Sequence, residues 1–122
     1  MSGSESLLDT NAIIHLLKGN KALGSLIHHY QLYISFISEI ELLGYQGITA
    51  KETRQIEAFI NDCRMVDINQ QIKRKVIQLR KTKKIKLPDA IIAATTLYLA
   101  ASFVPSDKGF KNITGLTYSD KF

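Results

Sequence analysis

The stretch LPDAIIAATTLYLA, Leu87 to Ala100, is almost wholly apolar and yet begins with a charge. Pro88 suits the first position of a helix, where its missing N–H costs nothing, and the run behind it is built for burial. Asp89 is the single acid at its head. A carboxylate carried into a buried element needs a reason, and the rest of the chain has to provide it.

Outward from this helix the chain alternates short β-type runs with helical ones. On its C-terminal side SFVP (102–105) and LTYS (116–119) read as two short strands. On its N-terminal side, residues 69 to about 81 keep Ile72, Val76 and Leu79 at helical spacing. RMVDI (64–68) is a strand, and TAKETRQIEAFINDC (49–63) is an amphipathic helix with Ile56, Phe59 and Ile60 on one face. SEIELLGY (38–45) opens a helix that stops near Gly47, and LYISFI (32–37), rich in β-branched and aromatic residues, is a strand. LGSLIHHY (23–30) reads as a short helix, NAIIHLLKGN (11–20) as a helix closed by Gly19, and SLLD (6–9) as the first strand. This order predicts an α/β fold with a mainly parallel sheet covered on both faces, in which the binding crevice lies outside the carboxyl ends of the strands.

With 122 residues, 45% of them hydrophobic, the chain is expected to form a single domain over 1–122. Residues 1–6 are read as a tag or a disordered terminus without function. There is no internal repeat, low-complexity tract or linker. The longest apolar stretch, Ala90 to Val104, is broken by Thr95, Thr96, Tyr98 and Ser102, too short and too polar for a membrane span, and no secretory apolar segment follows the N-terminus. A cytoplasmic protein is expected. The lone Cys63 excludes an internal disulfide, has no partner at metal-binding spacing, and reads as a buried, reduced thiol. The formal charge of +5 is concentrated: Lys73, Arg74, Lys75, Arg80, Lys81, Lys83, Lys84 and Lys86 occur without one acid between them, while the remainder of the chain is net acidic by three. Such a segment is either a solvated helix face or a surface for a polyanion such as nucleic acid.

Four acids each have an innocent explanation. Asp9 stands where a helix N-cap would. Ser38 and Glu41 have the spacing of a capping box. Asp89 in a first turn gains roughly 0.3 to 1 kcal/mol from the helix dipole, and Asp107 lies in the turn-like PSDKG. All four, however, fall where a strand ends or the following helix begins, and in a parallel sheet those junctions converge on one edge. Like charges about 4 Å apart repel by roughly 1 kcal/mol in water and about 4 kcal/mol at an effective dielectric of 20. A hard divalent cation, Mg²⁺ or Mn²⁺, resolves the conflict in an all-oxygen site. Zinc is disfavoured, because His15, His28 and His29 all lie in the first two helices.

Four segments in order, LLDTNAIIHLLKG (7–19), ISFISEIELLGY (34–45), LPDAIIAATTL (87–97) and FVPSDKGFKNITGL (103–116), resemble the signature segments of PIN-domain ribonucleases, and most closely the VapC-like toxins of toxin–antitoxin modules. The resemblance implies a PIN-like three-layer α/β/α sandwich. It assigns the catalytic, metal-binding carboxylates to Asp9, Glu41, Asp89 and Asp107, with Glu39 facing elsewhere, and polar support to Thr10, Asn11 and Ser106. The chain departs from the pattern at Gly109, where many relatives carry a second acid, and at Pro105, where threonine is usual.

The implied activity is Mg²⁺- or Mn²⁺-dependent endonucleolytic cleavage of single-stranded RNA by a metal-activated water. The basic residues Lys73, Arg74, Arg80, Lys81, Lys83, Lys84 and Lys86 would hold the RNA backbone. A homodimer and a cognate antitoxin are implied as partners, with Ile14, Leu17 and Leu26 as a docking surface. The alternative is a PIN-fold binding module with lost or reduced nuclease activity. A phosphorylated response receiver would want an acidic pair after the first strand, and a haloacid-dehalogenase-type phosphatase would want an acid where Asn11 stands.

Overall fold

In the computed structural model, which describes residues 5–19, 31–100, 102–104 and 117–118, Leu7 and Leu8 of the first strand belong to two different cores. That alternation follows from the twofold period of a strand, and it organises the molecule. Along the described chain run β1 (Glu5–Leu8), α1 (Thr10–Leu17), β2 (Gln31–Ser35), α2 (Phe36–Leu43), α3 (Ala50–Asn61), β3 (Arg64–Val66), α4 (Gln70–Thr82), α5 (Leu87–Leu99), β4 (Ser102–Val104) and β5 (Thr117–Tyr118). These five strands form one sheet in the order β3-β2-β1-β4-β5. Every pairing among them is parallel, with Ser6 of β1 opposite Leu32 on one side and Ser102 on the other.

One face of the sheet is covered by α4 and α5, whose Ile72, Val76, Leu79, Ile91 and Ile92 pack in one core with Leu7. The other face packs Leu8 and Ile34 with Ala12 and Ile13 of α1, Leu42 of α2 and Ile56 of α3. This is the expected three-layer α/β/α sandwich, here with all described strands parallel. In α5 every residue from Ala90 to Thr96 is buried. The two threonines enter this apolar setting because their hydroxyls donate back to the carbonyls of Ile91, at 2.7 Å, and Ile92, at 2.9 Å.

Five expectations shift. The first strand begins at Glu5 and buries Ser6, so residues 5 and 6 belong to the sheet and not to a tag or disordered terminus. The second strand ends at Ser35, because Phe36 and Ile37 turn their side chains onto the α4–α5 core and begin the helix there. Ser35 is therefore the N-cap, its hydroxyl accepting from the Ile37 N–H at 3.3 Å, and the capping box read at Ser38 and Glu41 does not form. The same helix stops at Gly44 rather than near Gly47; a Cβ at Gly44 would lie 2.6 Å from the Ile40 carbonyl oxygen. Pro88 takes the second helical position, behind Leu87, where an N–H is equally dispensable. The short helix expected at 23–30, with Leu26, His28 and His29, and the segment holding Pro105, Ser106, Asp107 and Gly109 lie outside the described residues.

Candidate functional site

The chain runs from β1 outward to β2 and β3, then crosses back to place β4 on the other side of β1. The reversal makes the carboxyl end of β1 the switch point of the sheet, where a crevice must open. Asp9 is the residue that follows Leu8 there. It is buried, 4% exposed, and its Oδ1 accepts from the Ala12 N–H at 2.7 Å, so it does cap α1. Asp89 reaches the same edge from the other core: α5 starts there, and Asp89 lies half-buried in its first turn. Lys86, the N-cap of α5, makes no side-chain capping bond.

Glu41 comes from the last turn of α2. With the helix capped at Ser35, Glu41 is too far along to reach the cap and has no capping role. Its Oε1 instead accepts from the Thr10 hydroxyl at 2.6 Å, and that hydroxyl also lies 2.8 Å from the hydroxyl of Ser38, which is fully buried.

Asp9, Glu41 and Asp89 thus line one cleft of about 240 Å³, together with Thr10, Asn11 and the apolar Ile14 and Ile92. Its polar lining consists wholly of hard oxygen donors and one amide, a set that suits a hard cation and offers no soft ligand. Among the described residues no three His, Cys, Asp or Glu converge tightly enough to form a ready-made cage; the carboxylates stand on the walls of the cleft. Glu39 is held apart, in a second hollow of about 380 Å³ with Leu43, Glu57, Ile60 and Asn61. Asp107 and Ser106 lie outside the described residues. Sequence reasoning gave Ser38 a capping role and Ile14 a docking role rather than a place at the cleft, and left Ile92 unassigned. For Ser38 the signal was present, because a spacing of three puts it on the face of Glu41, but the same spacing also reads as a cap.

The basic candidates lie on α4 and on the connector to α5. Lys73, Arg74, Arg80, Lys81, Lys84 and Lys86 are exposed and Lys83 is half-buried. Arg80 also serves the fold, donating to the Ile85 carbonyl at 3.2 Å. Away from the cleft, His15 is exposed, and the carboxyl of Glu52 is held below its usual range by hydrogen bonds from the Thr49 backbone and side chain in a capping box. Cys63 is half-buried rather than buried, and its thiol is pushed up to about 11, first by burial and then by Asp62. Among the described residues no helix is long and apolar enough to cross a membrane.

No curated protein matches the chain. Among solved structures, a chain of a toxin–antitoxin complex from Klebsiella pneumoniae superposes with a TM-score of 0.81 at 26% identity, covering 97% of this chain and 98% of that one. A chain of VapBC-1 from nontypeable Haemophilus influenzae gives 0.80 at 29% identity, over 95% and 97%. One of VapBC2 from Rickettsia felis, bound to a DNA fragment from its promoter, gives 0.83 over 93% and 96%, at 20% identity a likeness of fold alone. The family model of the PIN domain matches residues 6–116. The resemblance read from four sequence segments therefore holds, and the chain belongs to the PIN domain family.

Proposed function

We propose that this chain is a metal-dependent endoribonuclease that cleaves single-stranded RNA in the cytoplasm and serves as the toxin of a toxin–antitoxin pair. PIN domains are in general nucleases. The observation that carries the reading is the shared cleft: Asp9, Glu41 and Asp89 arrive from the end of β1, the last turn of α2 and the head of α5 and line one space. Asp9, Glu41 and Asp89, with Asp107 as the fourth carboxylate, would hold Mg²⁺ or Mn²⁺. A cation there would activate a water and stabilise charge on the scissile phosphate.

The chain's own residues do the positioning. The Ala12 N–H fixes one oxygen of Asp9, and the Thr10 hydroxyl fixes one oxygen of Glu41. Asn11 and Ser106 are assigned polar support. Lys83, Lys84 and Lys86 run directly into the first turn of α5, and with Lys73, Arg74, Arg80 and Lys81 they would hold the RNA backbone. The toxin role is supported by the named neighbours, which are toxin–antitoxin complexes. A cognate antitoxin and a second copy of the chain are the proposed partners. Leu17, 38% exposed, and the half-buried Ile14 are the described residues of the docking surface on α1.

A PIN-fold binding module without nuclease activity is the second reading, favoured by the open placement of the carboxylates. Labelled mixed-sequence single-stranded RNA, incubated with the protein in Mg²⁺, in Mn²⁺ and in EDTA, separates the two. Cleavage that needs metal and is lost in Asp9→Asn and Asp89→Asn supports the nuclease. Intact RNA in every condition, with bound antitoxin excluded by mass spectrometry, supports the binding module.

A further inference from the structure

We infer that Ser38 is a positioning residue for Glu41, acting through the hydroxyl of Thr10. The inference rests on the nuclease reading above for its consequence and on the hydrogen-bond geometry for its content. Thr10 has one hydroxyl proton, and a carboxylate can only accept. The proton therefore goes to Glu41 Oε1 at 2.6 Å, and the 2.8 Å contact between Thr10 and Ser38 must be a hydrogen bond donated by Ser38. The three groups form a directed chain, Ser38 to Thr10 to Glu41, joining α2 to the first residue of α1 and back to α2.

The burial of the members gives the chain its stiffness. Ser38 is fully buried, Thr10 is half-buried and Glu41 is exposed, so a fixed inner hydroxyl orients an outer side chain that would otherwise rotate freely in water. Such outer hydrogen bonds set the direction of ligating groups, and losing one typically weakens metal binding by about tenfold or more. A serine kept at a fully buried helical position, with its hydroxyl turned across to another element, has no capping duty to explain it, because Ser35 already caps the helix.

The test uses the full chain as Ser38→Ala, Thr10→Val, Thr10→Ser and the double variant Ser38→Ala/Thr10→Val. Three quantities are measured: Mn²⁺ affinity by calorimetry, RNA cleavage split into kcat and KM, and the Glu41 side-chain carboxyl ¹³C resonance in metal-free protein. Expected are an Mn²⁺ affinity about tenfold weaker in Ser38→Ala, a fall in kcat with little change in KM, and near-recovery in Thr10→Ser. The double variant should be no worse than Thr10→Val alone, because both substitutions remove the same chain. Additive losses, or a Glu41 resonance unmoved in Ser38→Ala, overturn the inference. If wild-type protein neither binds Mn²⁺ nor cuts RNA, the nuclease reading fails, and the Glu41 resonance alone then decides whether the hydroxyl chain exists.

Discussion

The Asp9 carboxylate accepts the N–H of Ala12 at 2.7 Å, so the acid that follows β1 is a helix cap and a wall of the cleft at once. The two roles come apart under substitution. Asparagine caps about as well as aspartate, whereas alanine forfeits the cap at a cost of about 1 kcal/mol. Asp9→Asn is expected to keep the wild-type melting midpoint and lose RNA cleavage. Asp9→Ala is expected to lose both, with a midpoint lower by about 3 to 5 °C. Equal destabilisation of both variants would show that the charge, and not the cap, holds this end of β1.

Glu39 and Glu41 stand two residues apart on one helix and face different hollows. Glu41→Gln is expected to lower cleavage on the order of a hundredfold, the scale on which preorganised groups at a reacting phosphate act. Glu39→Gln should leave it within about twofold, since its neighbours are Glu57 and Asn61 on the far side of α2. Steady-state cleavage rates with circular dichroism of both variants decide the matter; a large loss in Glu39→Gln would move the site.

Cys63 gives a pH-dependent reading of the fold. Its thiol is pushed up to about 11 by burial and by Asp62, from an ordinary value of 9.0. The folded state thus favours the neutral thiol. The stability this adds is present below the ordinary thiol value and is lost as pH rises through about 11. At pH 8 the thiolate fraction falls by about a hundredfold relative to the unfolded chain, and iodoacetamide alkylation should slow accordingly. Rapid labelling of folded protein at pH 8 would show that the segment around β3 opens readily.

The layer architecture was legible because it rests on periodicity. Ile72, Val76 and Leu79 announce a helix face, the largely apolar run after Asp89 announces a buried helix, and strand–helix alternation leaves few topologies. Asp9 and Asp89 were legible because chain order alone puts them at the carboxyl edge. The start of α2 was not, because Phe36 and Ile37 have strand propensity and only tertiary packing on the α4–α5 core draws them into the helix. That one boundary decided how Ser38 and Glu41 were read, since a capping box and a pair on one helix face share the same spacing. The half-buried state of Cys63 likewise depends on how α3 and β3 meet, which no local pattern encodes.

The connector Lys83–Lys86 carries three lysines into the first turn of α5, where Asp89 faces the cleft. If these charges hold the RNA backbone, binding should weaken linearly on a log–log plot against salt, by about 0.7 for each phosphate neutralised on a single strand. Replacing Lys83, Lys84 and Lys86 with alanine should then flatten the slope by about 2 and weaken binding to all sequences alike. Lys51→Ala with Arg54→Ala, exposed on α3 across the sheet, should leave the slope unchanged. Fluorescence anisotropy of a labelled oligoribonucleotide on Asp89→Asn protein, measured from low to moderate salt, reads both slopes without cleavage. If the α3 pair flattens the slope as much as the connector triple does, the attraction is only that of a cationic molecule, and the connector has no privileged hold on the RNA.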